Sequence, residues 1–499
     1  MTSATHIRCK ISTLGLWKTL ARPENGHIAR KVRTLEINAD VPIGMTEARI
    51  PDLIPTELAL DNISFAAEEA RDDGSALERE FIGALAQMTS LENFIWKRTP
   101  GPLITGEFGV WSTLSRLGAK SIRLVDNKLD DEGTPFALDV KEFFQLRNLT
   151  TLDLRTFALN DLDNEPDRGR FQSLQTLLIE HLPNIEHLNL DFCTNCSEIN
   201  VSELLTQARW SRLKEITFLD AYCTPEALNA FLTAHPTIIT LRLSAMMCGR
   251  RWAEIDLPEG ALPNLLHLNC PSYDAARILA RPSTRPLYLL TGVEVHANIK
   301  LKDYYYDYDG AEDEDAELDD AVIPSPWREE FLRNIKQHTG ITHLALYEHD
   351  GGDEVELLSK TMPQLQWIDV GSVREGSIAS PTISQWAHVL AEFKDIRTIN
   401  MQPSIQKSLE LFSLKCRNLQ TFEDWNHVHT CRRKRENGCD QVAWEVCPRS
   451  RDSEVDTGGS QDKPYPSANF ARVTLRRLGG PCVPGPIARA VFYVGRPLW

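Results

Sequence analysis

One spacing of apolar residues recurs along most of this chain. Its fullest copy is Ile185–Cys193 (IEHLNLDFC), which reads apolar, two spacers, apolar, one spacer, apolar, two spacers, cysteine. Similar triplets return from Val32 to Met401. Alternation of apolar and polar residues over such a short length is typical of a β-strand with one buried face. We therefore expect an array of similar strands, each packing on its neighbours, rather than a single core.

The copies share the apolar triplet but differ in the length of chain between them. The triplets are Val32/Leu35/Ile37, Leu91/Phe94/Trp96, Leu149/Leu152/Leu154, Leu174/Leu177/Ile179, Ile185/Leu188/Leu190, Leu213/Ile216/Phe218, Ile238/Leu241/Leu243, Leu265/Leu268/Cys270, Ile341/Leu344/Leu346, Leu365/Ile368/Val370 and Ile396/Ile399/Met401. One step, from Leu177 to Leu188, spans only 11 residues. That step predicts either a repeat with almost no helix or a triplet that is not a strand.

The spacing matches the strand segment of leucine-rich repeats, L-x-x-L-x-L-x-x-N/C. Amphipathic helix patterns such as Glu226–His235 and Ser384–Phe393 lie between the triplets. Proline, which cannot continue a helix, stands two residues before several triplets: Pro183, Pro236, Pro263 and Pro363. The predicted fold is an α/β leucine-rich-repeat solenoid, with a curved parallel sheet on the concave face and helices on the convex face.

The sequence divides into five segments on these patterns. We expect a lead-in or cap over residues 1–31, repeats over 32–300, an acidic loop insertion over 301–326, further repeats over 327–425, and an irregular tail over 426–499. The insertion carries ten of the 70 acidic residues of the chain, between Asp303 and Asp320. Such charge density opposes burial, so a solvated loop is the default interpretation.

Composition limits the compartment and the kind of partner. The 11 cysteines cannot all pair internally, the polar start MTSATHIRCK does not resemble a signal peptide, and no apolar run is long enough to span a membrane. We expect an intracellular protein, cytoplasmic or nuclear, with free thiols and no membrane partner. The net charge of −16 does not favour nucleic-acid binding.

Two groups of residues suggest metal or redox chemistry. Cys193-x-x-Cys196 could be a half-site, but the repeat pattern already accounts for Cys193 and no second C-x-x-C pair is present. A denser set, open to a zinc-binding alternative, comprises His427, His429, Cys431, Cys439 and Cys447. Its cysteines are not at standard finger spacings, so our prediction includes neither a metal site nor a cofactor. The adjacent Arg432–Arg435 run suits a solvated loop or a phosphate-binding patch.

No catalytic residue is predicted, because the sequence lacks the nucleophile-elbow, P-loop, H-E-x-x-H and G-x-G-x-x-G patterns of common enzymes. We therefore expect a binding protein rather than an enzyme. Spacers within the strand triplets alternate with the buried leucines, so they should face a partner. The candidate partner-binding residues are Glu186, His187, Asn189, Arg242 and Ser244. Several histidines also fall at or near spacer positions, namely His181, His187, His267 and His343.

The segment Thr19–Ile37 (TLARPENGHIARKVRTLEI) resembles the lead-in of fungal F-box proteins with leucine-rich repeats. The matching residues are Arg22, Pro23, His27, Ile28, Ala29, Val32, Arg33, Leu35 and Ile37. The resemblance extends loosely from Leu14 to Trp425. It implies a substrate-recognition module of a ubiquitin ligase, with a protein substrate as partner.

The chain departs from that family in the F-box itself. Family members begin with an F-box of about forty residues, but here the lead-in starts within the first twenty. Pro51–Leu60 (PDLIPTELAL) resembles the opening F-box phrase, yet it follows the first strand triplet. We expect the F-box to be lost, degenerate or missing from the gene model. A free-standing leucine-rich-repeat scaffold is therefore the alternative to the ligase receptor.

Overall fold

The fold is an α/β leucine-rich-repeat solenoid, as the spacing predicts. The computed structural model describes residues 5–38, 74–97, 101–126, 136–159, 165–192, 199–243, 253–281, 285–300, 322–373, 382–401, 406–423, 427–436 and 439–448. Within these residues, one sheet contains 17 strands. All of its strand pairs are parallel up to the last two strands, which join in antiparallel fashion.

The strands follow one another along the sheet in nearly the order of the chain. They are β1 (Thr5–Lys10), β2 (Val32–Asn38), β3 (Asn93–Trp96), β4 (Ser121–Asp126), β5 (Thr151–Thr156), β6 (His187–Asp191), β7 (Ile199–Asn200), β8 (Glu215–Leu219), β9 (Ala221–Tyr222), β10 (Thr240–Leu243), β11 (His267–Asn269), β12 (Leu289–Val295), β13 (Asn298–Lys300), β14 (Val322–Pro324), β15 (His343–His349), β16 (Trp367–Asp369), β17 (Ser372–Val373), β18 (Thr398–Asn400), β19 (Thr421–Glu423), β20 (His427–Glu436) and β21 (Cys439–Pro448). Two small sheets, β7 with β9 and β13 with β14, lie outside this order.

Helices connect most of the strands. They are α1 (Leu14–Ala21), α2 (Gly26–Ala29), α3 (Gly74–Leu85), α4 (Val110–Leu117), α5 (Glu165–Thr176), α6 (Ser202–Gln207), α7 (Pro225–Ala234), α8 (Ser272–Ile278), α9 (Arg328–Ile335), α10 (Gly352–Thr361), α11 (Ile383–Ala391) and α12 (Gln406–Lys415). The start of α7 shows why the sequence folds this way: Thr224 accepts a hydrogen bond from the Ala227 amide, and Pro225 takes the first helical position. None of the described helices combines the length and the hydropathy needed to cross a bilayer.

The apolar triplets stack in register to form the core. Leu152 pairs with Leu188, Leu188 with Ile216, and Ile216 with Leu241, so equivalent residues lie side by side on successive strands. Each is at most 1% exposed. Full burial of such a side chain stabilises the fold by about 1.5–3 kcal/mol. The regular stacking leaves the spacers together on the opposite, concave face.

Large aromatic side chains fill the core at the amino-terminal end. Trp17 of α1 packs edge-on against Phe81 of α3 at 5.0 Å between ring centroids, and Phe81 meets Trp96 of β3 at 6.0 Å. The Trp17 indole N–H donates to the carbonyl of Ile11 over 2.7 Å. The lead-in is therefore packed against the first repeats.

One predicted strand is wrong. Leu174, Leu177 and Ile179 lie in α5 and in a π-helical turn over Leu177–His181, not in a strand. Phe171, Leu174 and Leu178 are buried at helical spacing, so Leu174 belongs to a buried helical face as well as to the triplet. This explains the short step to Leu188.

The structure also contains strands that no triplet marks. β1 pairs in parallel with β2 at the start of the sheet. In β12, Gly292 has a φ of +77° and the pairing with β15 shifts between Leu290 and Val293. This irregularity breaks the triplet spacing, because a bulge inserts a residue into the alternation.

Two segments differ from the expected irregular regions. The end of the expected acidic loop forms β14, which pairs antiparallel with β13, whereas residues 301–321 lie outside the described residues. In the expected irregular tail, β20 and β21 form an antiparallel hairpin attached to β19. No triplet marks this hairpin, because pairing in a hairpin requires backbone hydrogen bonds but no repeated leucine.

Candidate functional site on the concave face

Polar side chains form a row across the centre of the concave face. In register on β4, β5, β6, β8, β10, β11 and β12, this central row consists of Arg123, Asp153, Asn189, Thr217, Arg242, Asn269 and Thr291. Each occupies the single spacer between the second and third apolar positions, or its equivalent. Neighbouring strands lie about 4.8 Å apart, so side chains of adjacent members can bond directly.

An outer row lies two residues earlier on the same strands. It consists of Ser121, Thr151, His187, Glu215, Thr240, His267 and Leu289. The two rows together give this face alternating charges and neutral hydrogen-bonding groups. The pattern suits recognition of a polar surface better than the burial of an apolar ligand.

Asp153 holds the first part of the central row together. Its carboxylate lies 2.6 Å from Nε of Arg123, and its Oδ1 accepts a hydrogen bond from Nδ2 of Asn189 at 2.6 Å. Beside it, Nε of Arg155 lies 3.5 Å from Asp191. Because Asp153 and Asp191 each have an arginine on a neighbouring strand, these two carboxylates add little net charge to the region.

The outer row contains a histidine–carboxylate pair. Nδ1 of His187 donates to Oε2 of Glu215 across 2.9 Å. Burial raises the pKa of Glu215, but the hydrogen bond from His187 and the charges of Arg242 and His187 outweigh it, so the pKa lies below its usual value. Glu215 is therefore a fixed negative charge on the face at neutral pH.

His267 is a neutral member of the outer row. Its Nε2 lies 3.0 Å from the Thr291 hydroxyl. Burial, followed by the charge of Arg242, lowers the pKa of His267 to about 3. Its imidazole can therefore accept or donate a hydrogen bond on this face without contributing charge.

The outer row becomes aromatic towards the carboxyl-terminal repeats. Leu289 pairs with His343 and His343 with Trp367. The His343 ring stacks on Trp367 at 6.1 Å and meets Tyr288 edge-on at 5.7 Å. Burial lowers the pKa of His343 to about 4, so the ring is neutral at physiological pH. The concave face thus joins a charged half to an aromatic half.

The structure separates the five candidate partner-binding residues into three groups. His187, Asn189 and Arg242 lie in the two rows. Glu186 lies at the amino-terminal edge of the sheet, where its carboxylate pairs with Lys214 at 2.6 Å. Ser244 lies outside the described residues. The roles of Arg123, Asp153 and Glu215 are not visible in the sequence, because they depend on cross-strand partners 28 to 36 residues away.

Three of the histidines noted in the sequence are the first residues of strands on the concave face. They are His187 of β6, His267 of β11 and His343 of β15. His181 instead lies in the π-helical turn, where its Nδ1 is 2.8 Å from the carbonyl oxygen of Phe144. The difference follows from the wrong strand prediction at Leu174–Ile179.

The described residues do not bring metal ligands together. No group of three or more histidine, cysteine, aspartate or glutamate side chains among them is arranged to hold a metal ion. On the terminal hairpin, Cys439 pairs with Glu436 and Cys447 with Val428. The two cysteines are thus at opposite ends of β21, roughly 25 Å apart at the usual rise per residue. Cys193 and Cys196 lie outside the described residues.

Comparisons with known proteins identify no family for the chain. No family model matches it, and neither does any curated protein. Among solved structures, it is similar to the leucine-rich repeat-containing protein LegL7 from Legionella pneumophila. The identity is 13% and the TM-score 0.32, and the match covers 67% of this chain and 91% of that one.

Proposed function

We propose that this protein is a protein-binding module that recognises its partner through the concave face of the sheet. One observation carries the proposal: arginine, histidine, tyrosine and tryptophan side chains lie next to each other on one continuous face. Interfaces between proteins are enriched in aromatic residues and arginine and depend on a few such residues for most of their affinity. A row of polar groups fixed by their neighbours adds specificity, because a partner must match each of them.

The test compares the two faces of the solenoid. A concave variant combines His187→Ala with His343→Ala, both half-buried side chains of the outer row. A matched convex control is Lys360→Ala, whose side chain is 67% exposed on α10. The native protein, the concave variant and the convex control are each immunopurified from cells that express them, and co-purifying proteins are quantified by mass spectrometry. The strongest candidate partner is then purified and titrated against all three forms.

We expect the concave variant to lose the partner and the convex control to retain it. Truncation of a central interface residue typically costs about 1–2 kcal/mol or more, which is a loss of roughly fivefold to thirtyfold in affinity per residue. A partner that binds all three purified forms equally would contradict a concave-face interface. Circular dichroism of each form controls for misfolding.

A narrower proposal is that this module belongs to a ubiquitin ligase. It is supported by the resemblance of Thr19–Ile37 to the lead-in of fungal F-box proteins; in the structure this segment runs through α1 and α2 into β2. The protein substrate would then be the partner on the concave face. Pull-down of an SCF adaptor by the full chain tests it, and absence of adaptor binding would contradict the ligase role while leaving the binding module intact.

A further inference from the structure

The guanidinium of Arg242 has a buried hydrogen-bonding edge without an acceptor at the centre of the concave face. Arg242 is only 9% exposed, and within the described residues its Nε and Nη2 atoms have no hydrogen-bond partner. The N–H bonds of these two atoms point in the same direction. Together they form the fork that binds both oxygens of a carboxylate or phosphate.

The nearby carboxylates are already engaged by other groups. The negative charges that act on Arg242 are those of Glu215 and Asp153. Glu215 accepts from His187, and Asp153 accepts from Asn189 and pairs with Arg123. The two carboxylates offset the charge of Arg242 but leave this edge without an acceptor. A buried donor without a partner is costly, by about 1–3 kcal/mol and more for a charged group.

Two other buried polar atoms without partners lie on the strand next to Arg242. Nδ1 of His267 and Oδ1 of Asn269, on the adjacent β11, also lack hydrogen-bond partners in the described part of the chain. A neutral histidine nitrogen and an amide oxygen can bond the polar atoms next to a carboxylate, such as a peptide N–H. Unfilled polar atoms on two adjacent strands favour a polar ligand over an apolar one.

A groove runs along the same strands at the amino-terminal edge of the sheet. It is lined by Glu186, Ser211, Arg212, Lys214, Thr237, Ile239, Asn264, Leu266 and Pro286. These residues lie before β6, β8, β10, β11 and β12 or close to their starts. An extended segment of a partner in this groove would cross the strands that carry Arg242 and His267.

We propose that Arg242 is a specificity-determining residue that binds an aspartate or glutamate side chain of the partner polypeptide. This inference rests on the proposed protein-binding function. A carboxylate is favoured over a phosphate because Asp153 and Glu215 lie close by, and a doubly charged anion would meet stronger repulsion from both.

The carboxylate reaches Arg242 by a local side-chain movement. Nε and Nη2 each expose less than 1 Å², whereas the side chains of His187 and Glu215 are 40% and 32% exposed. These two can turn outward while the backbone of β6 and β8 stays paired. The partner therefore inserts its acidic group beside Thr217 rather than resting it on a preformed open surface.

The experiment uses peptides selected by the full-length protein itself. Random 12-residue peptides are selected by phage display, and the tightest binders are synthesised with each Asp or Glu replaced in turn by Asn or Gln. Affinities are measured by fluorescence anisotropy for the native protein, Arg242→Lys and Arg242→Gln. Arg8→Gln is the matched control, since Arg8 lies on the same face in line with the central row, but on β1, three strands before Arg123, where it pairs with Glu36 at 3.1 Å.

We expect one acidic position to be required. Its replacement by the amide should weaken binding to the native protein roughly tenfold or more, as for a charge-assisted bidentate pair. Arg242→Lys should weaken binding although it keeps the charge, because lysine has no fork. On Arg242→Gln the acidic and amide peptides should bind within about twofold of each other, since the pair no longer exists. Arg8→Gln should retain the preference for the acid.

Three results would overturn the inference. Selected peptides that bind without needing any carboxylate would leave the binding module standing but remove the role of Arg242. Equal loss with Arg8→Gln and Arg242→Gln would show a diffuse charge effect instead of a site. A selection that enriches no sequence counts against the proposed function and the inference together. If both Arg242 variants fail to fold, the acid-to-amide series on the native protein still decides the carboxylate requirement.

Discussion

The backbone N–H of Trp210 donates a hydrogen bond to Nε2 of His235 over 3.0 Å. On the other side of the ring, Nδ1 of His235 lies 2.7 Å from the carbonyl of Phe231 and must donate to it. The histidine is therefore held in one neutral tautomer, with one nitrogen as acceptor and the other as donor. His235 thus binds the Phe231 carbonyl at the carboxyl-terminal end of α7 and links that helix to Trp210 of the preceding repeat.

Replacement of His235 by alanine should destabilise the protein by about 1–3 kcal/mol, because the buried Trp210 amide loses its acceptor. Urea unfolding followed by circular dichroism measures the change. Thr233→Ala, an exposed position on the same helix, is the control and should lie within about 0.5 kcal/mol of the native protein. Equal stability of His235→Ala and the native protein would show that water replaces the imidazole without cost.

A set of buried histidines should make stability fall as the medium becomes acidic. Burial is the largest cause in each case, lowering the pKa of His267 to about 3 and that of His343 and His349 to about 4. The pKa values of His235 and His338 are also lowered. Below pH about 6.5 these side chains bind protons in the unfolded chain but not in the folded one. Acid therefore favours unfolding.

We expect the free energy of unfolding to be highest above pH 6.5 and to decrease between pH 6.5 and about 4. Each such histidine contributes up to about 1.4 kcal/mol per pH unit in that window. Asp220 acts in the opposite direction, because burial and then the charge of Asp191 raise its pKa to about 6; its contribution is lost as the pH rises through 6. Urea titrations at several pH values measure the net effect of the histidines and Asp220 on the free energy of unfolding. A constant free energy of unfolding from pH 7 to 4.5 would contradict the expected decrease.

Much of this fold could be predicted from the sequence because each repeat buries the same apolar positions. Leu152, Leu188, Ile216 and Leu241 could be aligned by spacing alone, and the structure stacks them on neighbouring strands. The triplet at Leu174–Ile179 failed because Leu174 and Leu177, together with Leu178, also have the i, i+3, i+4 spacing of a helix. Only the continuation of α5 through that segment distinguishes the two.

The concave site was less predictable than the core. Spacer positions indicated His187, Asn189 and Arg242, but a spacer pattern does not reveal which charges meet across strands. Asp153 contacts both Arg123 and Asn189 because the three residues occupy the same register position, although they are 30 and 36 residues apart. That register depends on the length of each connecting segment, and those lengths vary from repeat to repeat.

Glu36 should stabilise the amino-terminal end of the sheet through buried charge pairing. Its side chain is 4% exposed, with Lys97 at 2.8 Å and Arg8 at 3.1 Å. Burial raises the pKa of Glu36, but the hydrogen bonds and charges of Lys97 and Arg8 outweigh it, so the pKa is lowered. A lowered carboxyl pKa contributes stability above the unfolded value, and that stability is lost as the pH falls through the folded one.

Glu36→Gln should therefore destabilise the protein at pH 7 by about 1–3 kcal/mol, since Lys97 loses its charged partner. The difference between the variant and the native protein should shrink below pH 4, where the native carboxyl becomes protonated and resembles the amide. Paired urea titrations at pH 7 and pH 3.5 give both values. A difference that stays constant with pH would assign the effect to packing rather than to charge.

Gly371 should tolerate no side chain, because both its backbone conformation and a close neighbouring atom oppose a Cβ at this position. It follows β16 with a φ of +71°, and a Cβ at this position would lie 2.3 Å from the carbonyl oxygen of Leu346 on the neighbouring strand β15. Gly118, after α4, has a similar φ of +68° but no atom within 4 Å of its Cβ position.

Gly118→Ala therefore measures the backbone strain alone, about 1–2 kcal/mol. Gly371→Ala should cost at least about 1 kcal/mol more, because the backbones of β15 and the loop after β16 must separate. Thermal and urea unfolding of the two variants give the comparison, and equal destabilisation would mean that the sheet accommodates the methyl group without moving Leu346.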